Sequence, residues 1–470
     1  MVNIISARGE RSLRSLIDTE TGTVSRELYT NDDIFQQELE QIYGRCWLFL
    51  GHESQLPNPG DFVVTRMGTE EILMVRDRKS KQIRAFLNSC AHRGMKVCRY
   101  DQGNALVFTC PFHAWTYDTS GALVGAAYQN APNSYNGELD KANWGLREVA
   151  QIKNYYGMIW ATWDPKAPSF EDYAGPFAEG IRYDCESSDG EDAGIEVFTP
   201  FQKWRLPSNW KVPAFSSSTD LTHAAMTHRS VNAANIGPDR GTLSGGDRSR
   251  RRGSMPSDRY AVGDHNLGHG GNWAVYKEMG IPEYLDAWFE DGVDEYFRET
   301  HARKSQKYAE RYMPPHGQEG GGHFCVFPNF IMDSWRWRFW HPHSVGVVER
   351  WSLFGVDKNA PKHVKDAVRH YVMRYNGPTG ATESDDMENW NYVYAASFGN
   401  QAKKRNYYFA NGLGNGVEGV AGDGHPGLVF NGSHTEEAHR ARFSRWLAFM
   451  EAGSWDDLYP VNQTKNHRIW

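Results

Sequence analysis

The pattern of apolar and polar residues predicts a β-rich segment between about residues 60 and 165. The runs DFVVTRM, EILMVRD and GMIWATW have the composition of short strands, and Gly, Asn and Asp turns separate them. Residues 32–50 begin with two acids and have apolar side chains at helical spacing, which predicts a helix that leads into a strand. The front of the chain is therefore expected to form a small all-β domain.

After about residue 166 the pattern becomes mixed. It predicts helices at about 215–230, 281–311, 361–374 and 435–452, and strands between about 322 and 356. The chain has 470 residues, which is enough for two domains. We expect an α+β chain with one domain at 46–166 and a second domain made of 1–45 and 167–470.

The charge balance limits the kinds of partner. The chain has 51 basic and 58 acidic residues and a net charge of −7, so it has no overall footprint for nucleic acid or an anionic membrane. The run RGTLSGGDRSRRRGSM is locally basic and has few residues that could fill a core, so we expect a loop. Its arginines, from Arg248 to Arg252, form either a solvated face or a contact for an acidic partner or substrate.

The N-terminus and the cysteine content indicate a cytoplasmic protein. The first 18 residues are charged throughout and lack the apolar stretch of a signal peptide. No apolar run approaches the roughly 18 residues of a membrane span. Six cysteines in a chain of this length do not resemble a disulfide framework, and a reducing compartment suits thiolate ligands.

Two Cys-His pairs form the first candidate site. Cys90 and His92 are one residue apart, Cys110 and His113 are two apart, and 17 residues separate the pairs. A structural zinc site usually has one pair of cysteines and one pair of histidines, whereas here each half supplies one of each. A [2Fe-2S] cluster of the Rieske type, with two thiolates on one iron and two imidazoles on the other, fits this order better. Cys98, between the pairs, breaks their symmetry and is expected to be structural.

Asp220, His223 and His228 form the second candidate site. Two imidazoles and one carboxylate on one face of a ferrous ion leave positions open for dioxygen and substrate. Histidines five residues apart point about 140° apart on an ideal helix, so the helix must be distorted or end there. The carboxylate could also come from Asp385 or Asp386, although adjacent acids at a helix start are more often simple caps. A His pair alone is weak evidence, and the cluster motif upstream makes the metal site the favoured interpretation.

The sequence resembles the large (alpha) subunit of Rieske non-haem iron aromatic-ring-hydroxylating dioxygenases, the group of naphthalene, biphenyl and phthalate dioxygenases. The resemblance covers nearly the whole chain: RSLIDTETGTVSRELYT, the two Cys-His pairs, NWK, Asp-x2-His-x4-His, VFPN and the late Asp-Asp pair. It implies that 46–166 is a small all-β Rieske [2Fe-2S] domain. It also implies that the remainder is a catalytic domain with an antiparallel sheet covered by helices, like a helix-grip fold.

The resemblance implies a role for each metal-site residue. His223, His228 and Asp386 would bind the mononuclear Fe(II). Asp220 would be a bridging acid, bonded to His223 and, across a subunit boundary, to His113 of a neighbouring Rieske centre. The resemblance further implies a small beta subunit in an α3β3 hexamer, and electron supply from NAD(P)H through a flavin reductase and a ferredoxin.

The chain departs from the family in a way that bears on the substrate. After NWK the family commonly has Glu-Asn where this chain has Phe215 and Ser216. The neighbouring Ser217, Ser218 and Thr219 make this segment small and polar, where hydrocarbon oxidisers often have a Phe. In the predicted strand SWRWRFWHP, Ser334 and Arg336 share one face. The ordinary interpretation is an amphipathic strand with solvated arginines, but the resemblance places this face at the substrate pocket. Because Arg binds carboxylates bidentately, we favour an aromatic carboxylate such as phthalate or terephthalate over a polycyclic hydrocarbon.

These observations predict an oxygenase that cis-dihydroxylates an aromatic ring with dioxygen, in the degradation of aromatic compounds. The alternatives are a Rieske monooxygenase such as a demethylase, an electron-transfer Rieske protein without oxygenase activity, and a zinc-stabilised binding module.

Overall fold

A computed structural model describes most of the chain, which folds into two compact units. The described residues are 3–6, 9–135, 139–186, 194–216, 220, 222–230, 259–275, 292–293, 295–297, 299–300, 303, 320–333, 336–418, 428–431 and 435–458. The small unit is Tyr43–Phe170, and the large unit combines Met1–Ile42 with Glu171–Trp470. Among the described residues, no helix is long and apolar enough to cross a membrane.

The small unit consists of three antiparallel sheets. Its strands are β5 Leu48–His52, β6 Asp61–Met67, β7 Glu70–Arg76, β8 Ile83–Leu87, β9 Gln102–Asn104, β10 Val107–Thr109, β11 Thr116–Asp118, β12 Leu123–Gly125, β13 Gln151–Tyr155 and β14 Met158–Thr162. The sheet orders are β8-β7-β6-β9, β10-β11-β12 and β13-β14-β5. The three runs predicted as strands are β6, β7 and β14. Adjacent residues such as Val63 and Val64 are both buried, which shows that both faces of β6 are covered.

The large unit is organised by a nine-stranded antiparallel sheet. The described strands of the whole large unit are β1 Asn3–Ser6, β2 Gly9–Ser12, β3 Ile17–Asp18, β4 Thr23–Val24, β15 Ile195–Leu206, β16 Arg259–Gly263, β17 Gly270–Val275, β18 Gly320–Val326, β19 Phe330–Asp333, β20 Arg336–Ser344, β21 Val347–Asp357, β22 Tyr407–Tyr408, β23 Val417–Glu418 and β24 Leu428–Asn431. The order in the large sheet is β15-β21-β20-β19-β18-β17-β16-β24-β23. The strands predicted between 322 and 356 are its centre. The expected fold class, an all-β unit plus a larger α+β unit with an antiparallel sheet and helices, is confirmed.

Where the structure describes a predicted helix, the two agree except near residue 220. They are α1 Glu27–Thr30, α2 Asp32–Glu38, α3 Phe170–Ala174, α4 Phe177–Cys185, α5 Lys211–Ser216, α6 Ala224–Thr227, α7 Lys362–Asn376, α8 Glu383–Ala396 and α9 Glu437–Glu451. The helices predicted at 361–374 and 435–452 are α7 and α9. A continuous helix across 215–230 is not formed, because α5 ends at Ser216 and α6 is a single turn. The distortion that the spacing of His223 and His228 required is present. Between them the Asp220 carboxylate accepts the backbone N–H groups of Thr222 and His223 at 3.0 and 3.3 Å, which favours a turn over a continuous helix.

A buried ion pair joins three helices of the large unit. Glu38, at the end of α2, is 0% exposed and accepts hydrogen bonds from Lys211 Nζ at 2.5 Å and from the indole N–H of Trp210 and of Trp446 at 2.7 Å each. Trp210 and Lys211 belong to the NWK motif at the start of α5, and Trp446 lies on α9. Both carboxylate oxygens have buried donors, so α5, which leads into the candidate metal site, is held at a defined position.

Two predictions fall wholly or largely outside the described residues. These are the loop over RGTLSGGDRSRRRGSM, with Arg248–Arg252, and most of the helical segment at 281–311.

Candidate metal centres

The two Cys-His pairs of the small unit lie in two similar loops, one after β8 and one between β10 and β11. In each loop the residue four positions after the cysteine, Gly94 or Ala114, donates its backbone N–H to the cysteine carbonyl, of Cys90 at 2.8 Å or of Cys110 at 3.0 Å. Both have a left-handed backbone, with φ of 73° and 55°. Each of these turns contains the histidine of its pair. The cysteine and the histidine are close in the sequence because both belong to one tight turn.

Thiols and imidazoles are segregated in this site. Cys90 and Cys110 are buried, at 3% and 1% exposure, whereas His92 and His113 are partly exposed, with their ring centroids 4.5 Å apart. Burial raises the pKa of the Cys110 thiol, against the effect of nearby backbone N–H groups. Two thiols in the interior and two imidazoles nearer the surface are the donor set that a cluster with one sulfur-ligated and one nitrogen-ligated iron requires. The residues present therefore fit that cofactor.

Two buried aromatic residues surround the pairs. The Tyr117 hydroxyl is 3.2 Å from Cys90 Sγ and accepts the Ala91 N–H at 3.1 Å, which leaves its own hydrogen to donate to the sulfur. Burial and the neighbouring Cys90 sulfur raise the pKa of Tyr117, so the phenol keeps its proton. Trp115 stacks on His92 with a centroid distance of 4.9 Å and an interplanar angle of 8°. Cys98 is also buried, and its thiol donates to the Tyr100 carbonyl at 3.5 Å, as expected for a structural cysteine.

The Tyr117→Phe variant is expected to lower the reduction potential of the small unit's centre by about 60 mV. A hydrogen bond to sulfur stabilises the more negative, reduced state, and about 60 mV corresponds to roughly 1.4 kcal/mol for one electron. A redox titration followed by circular dichroism measures the shift. Tyr135→Phe is the matched control, because the Tyr135 hydroxyl accepts from the Trp115 indole at 3.1 Å. Equal potentials in the two variants would contradict a role of the Tyr117 hydroxyl.

In the large unit, His223, His228 and Asp386 converge. One ligand atom of each lies within 4.8 Å of the other two. The histidines flank the one-turn helix α6, so the predicted break in the helix allows both rings to meet, while Asp386 lies in the first turn of α8. Asp386 Oδ1 is 3.2 Å from His223 Nε2 and 3.5 Å from His228 Nε2. Two imidazole nitrogens and one carboxylate oxygen form a donor set that fits a divalent iron.

Two further carboxylates face the other ring nitrogens. Asp220 Oδ1 is 3.7 Å from His223 Nδ1, and Asp385 Oδ2 is 3.5 Å from His228 Nδ1. Burial alone would raise the pKa of Asp220, but hydrogen bonds from His223 and Thr222 hold that pKa well below its usual range. Burial alone would lower the pKa of His223, but the carboxylates of Asp220 and Asp386 raise it to about 10. The sequence pattern indicated Asp385 only as a cap or an alternative ligand, and its contact with His228 was missed.

A cavity of about 280 Å³ borders this site. It is lined by Tyr29, Lys211, Val212, Phe215, Ser216, Asp220, His223, Asp386, Asn389, Trp390, Val393, Tyr407, Tyr408, Phe409 and His439. Residues 386, 389, 390 and 393 recur at helical spacing, so one face of α8 forms a wall. Most of the lining is apolar or aromatic, and the volume is close to the lower end of the range for ligand pockets, about 300–1,000 Å³. The cavity therefore suits a small aromatic molecule.

His439 and the residues at 407–409 contribute to this cavity without any signal in the sequence, because they come from distant segments. Burial lowers the pKa of His439 to about 4, against the attraction of the Asp220 carboxylate. A neutral imidazole therefore lies in the cavity wall at neutral pH. Lys211 had a signal only through the NWK motif, which did not indicate that it lines a cavity.

The residues predicted to bind substrate have different outcomes. Ser216 lines the cavity, whereas Ser217 and Ser334 lie outside the described residues. Arg336 is not among the described residues that line this cavity, and its Nη1 donates to Oδ1 of Asn376 at the end of α7. The ordinary interpretation of solvated arginines in this strand is wrong for Arg338, which is only 5% exposed. The α7 helix packs against β21, and β21 is the neighbour of β20 in the sheet. The contact between Arg336 on β20 and Asn376 shows that the end of α7 covers the face of the sheet on which Arg336 lies.

Comparisons with known proteins identify the small unit's domain and relatives of nearly the full chain. Residues 46–140 match the family model of the Rieske [2Fe-2S] domain. The chain is 34% identical over 458 residues to biphenyl dioxygenase subunit alpha of Metapseudomonas furukawaii, covering 96% of this chain and 95% of that protein. It is 34% identical over 454 residues to benzene 1,2-dioxygenase subunit alpha of Pseudomonas putida, covering 95% of each. The structure of naphthalene 1,2-dioxygenase from Rhodococcus sp. bound to indole matches with a TM-score of 0.77 at 29% identity, covering 96% of this chain and 100% of that chain.

The Rieske match decides against a zinc-stabilised module, and similarity over almost the full length decides against a simple electron carrier. The chain belongs to the alpha subunits of the Rieske-type aromatic-ring-hydroxylating dioxygenases.

Proposed function

We propose that Cys90, His92, Cys110 and His113 hold the [2Fe-2S] cluster, and that His223, His228 and Asp386 hold a mononuclear Fe(II). The segregation of thiols and imidazoles supports the first assignment, and the convergence of three ligand atoms within 4.8 Å supports the second. We place the domain boundaries at 46–166 and at 1–45 with 167–470. The compact unit at Tyr43–Phe170 and the family match at 46–140 support these boundaries.

The proposed reaction is the cis-dihydroxylation of an aromatic ring by dioxygen. When bound, the cluster supplies electrons one at a time, and the ferrous ion supplies the site at which dioxygen reacts. His223 and His228 would hold the metal through Nε2, while Asp220 and Asp385 face their Nδ1 atoms. Phe215, in the cavity wall, contributes to a hydrophobic surface for the ring and helps to exclude water. The single observation that carries this proposal is that the three ligand atoms converge beside an aromatic cavity.

Asp220 is proposed as the bridging acid between this metal site and the Rieske centre of a neighbouring subunit. Its carboxylate is 3.7 Å from Nδ1 of the candidate ligand His223 and is partly exposed, which supports this role. We further propose an α3β3 hexamer with a small beta subunit, located in the cytoplasm. Electrons would come from NAD(P)H through a flavin reductase and a ferredoxin. The names of the relatives, which are alpha subunits of dioxygenases, support a multicomponent system.

For the substrate we propose an aromatic carboxylate such as phthalate or terephthalate. A small polar side chain in the cavity, Ser216, supports it. Arg336, whose guanidinium donates to Asn376 in the structure, is proposed as the cation that would bind the carboxylate. The second candidate is an aromatic hydrocarbon, because the relatives are named for biphenyl and benzene. Both candidates share the same metal chemistry and differ only in how the ring is recognised.

Metal analysis and turnover test the proposal. The reconstituted alpha subunit should contain about three irons per chain, whereas a chain that holds only the Rieske cluster has about two. Turnover of phthalate, terephthalate, benzoate, naphthalene and biphenyl identifies the substrate class. Labelled dioxygen should place two oxygen atoms in the product, and one labelled atom would indicate a monooxygenase. Two irons per chain with no turnover would contradict the proposed oxygenase site.

The Arg336→Met variant is expected to lower kcat/KM for the aromatic carboxylate about 100-fold and to leave that for naphthalene nearly unchanged. Loss of a bidentate guanidinium–carboxylate contact removes several kcal/mol, and only the charged substrate makes that contact. Steady-state kinetics with both substrates measure the difference. Arg369→Met, an exposed arginine on α7, is the matched control. Equal losses with both substrates would show that Arg336 acts through Asn376 in the structure and does not recognise the carboxylate.

A further inference from the structure

Each candidate histidine ligand of the large unit lies between two carboxylates. Asp386 Oδ1 faces the Nε2 atoms of both rings, at 3.2 Å from His223 and 3.5 Å from His228. On the Nδ1 side, His223 faces Asp220 at 3.7 Å, and His228 faces Asp385 at 3.5 Å. The two halves of the site therefore have the same arrangement, although Asp220 lies between α5 and α6 and Asp385 lies on α8.

The adjacent acids of α8 cannot both be ligands of the same kind. Successive residues on a helix point about 100° apart, so Asp385 and Asp386 approach His228 from different sides. The group of three converging ligand atoms includes Asp386 and does not include Asp385. Asp385 is thus placed at the outer edge of the imidazole, where a ligand's second nitrogen normally has a hydrogen-bond acceptor.

Capping of the helix does not account for Asp385. The position before α8 is Thr382, whose side chain makes no capping hydrogen bond and donates to the Tyr375 carbonyl at 2.9 Å instead. The Asp385 carboxylate points to the His228 ring. An acid in the first turn interacts favourably with the helix dipole wherever it points, so the dipole alone gives no reason for this contact.

We infer that Asp385 is a positioning residue, which accepts the Nδ1–H of His228 and so directs the Nε2 lone pair of that ring to the metal. This inference rests on the proposed iron site. The carboxylate selects the tautomer and the orientation of His228, as Asp220 does for His223. Asp385 belongs neither to the converging group of ligand atoms nor to the cavity lining among the described residues, so it acts only through the ring of His228.

The affinity of the full chain for ferrous iron tests this inference. Chelator competition on the metal-depleted mononuclear site gives the Kd, with the Rieske absorption recorded to show that each variant is folded. We expect Asp385→Ala to raise the Kd about 10- to 100-fold, as is typical for loss of a ligand's outer partner. Asp385→Asn should recover most of the loss, because an amide oxygen still accepts the Nδ1–H. Glu388→Gln is the matched control, since Glu388 is an exposed acid on the same helix.

Cobalt(II) substitution separates a positioning residue from a ligand. The visible spectrum of the cobalt form should keep its intensity class in Asp385→Asn, because the coordination number is unchanged, and Asp386→Ala should change it. A Kd for Asp385→Ala equal to that of Glu388→Gln would overturn the inference, and so would loss of metal as complete as in Asp386→Ala. If the wild-type chain itself fails to bind ferrous iron, the proposed metal site is wrong, whatever the Asp385 variants do.

Discussion

Replacing Asp220 with asparagine is expected to reduce turnover at least about 100-fold while both metal centres stay occupied. Asparagine has nearly the same size and keeps an oxygen that can accept the Thr222 N–H, now made at 3.0 Å, so the turn between α5 and α6 should persist. What is lost is the negative charge beside His223 and, in the proposed assembly, the hydrogen-bonded link to the neighbouring Rieske centre. The rate of cluster reoxidation in stopped-flow experiments should fall in parallel with turnover.

The control for this variant is Asp456→Asn, at an exposed acid of the same unit. Metal analysis of both variants should give the same iron content as the wild type. Full activity of Asp220→Asn would rule out the bridging role. Loss of the mononuclear iron from the variant would assign Asp220 to metal retention instead.

The second large effect is expected on stability. Glu38→Gln should lower the free energy of unfolding of the large unit by about 3–5 kcal/mol, because it leaves the Lys211 ammonium, 1% exposed, without its counter-charge. Burial lowers the pKa of Lys211, against the attraction of Glu38, so loss of the carboxylate removes the main group that keeps the lysine charged. Urea unfolding followed by tryptophan fluorescence measures the change, since Trp210 and Trp446 both donate to Glu38.

Two comparisons make this measurement specific. Glu451→Gln removes the partner of Arg14 in an exposed pair at 2.7 Å and should cost less than about 1 kcal/mol. The double variant Glu38→Leu/Lys211→Met should recover at least half of the loss, because it removes both charges together. A loss of stability in Glu38→Gln no larger than in Glu451→Gln would contradict the role of the buried pair.

The Rieske motif could be identified from the sequence because its chemistry is local. Cys90 and His92, like Cys110 and His113, lie within one tight turn, so the spacing along the chain is nearly the spacing in space. Strands β6, β7 and β14 were predictable for a similar reason, since turn residues border short apolar runs. Each turn supplies one cysteine and one histidine in the order that the cluster requires. The Cys-His site of the small unit could therefore be recognised without tertiary information.

The mononuclear site was only partly predictable. His223 and His228 are five residues apart, but whether they meet depends on the turn between α5 and α6, which the Asp220 carboxylate stabilises by accepting the Thr222 and His223 N–H groups. The helix expected across 215–230 is interrupted, and helical periodicity does not reveal where, because it does not show that competition. The third ligand is more than 150 residues away, and residue types alone did not separate Asp385 from Asp386.

The sequence by itself determined the donor types, the order of the two metal motifs and the α+β class, because each depends on neighbouring residues or on the periodicity of a single element. Only the tertiary structure decided that Asp386 joins both Nε2 atoms, that Asp385 faces His228 Nδ1, and that Arg336 bonds to Asn376. The reason is physical: these contacts join helices and strands far apart in the chain, and their distances follow from how whole elements pack.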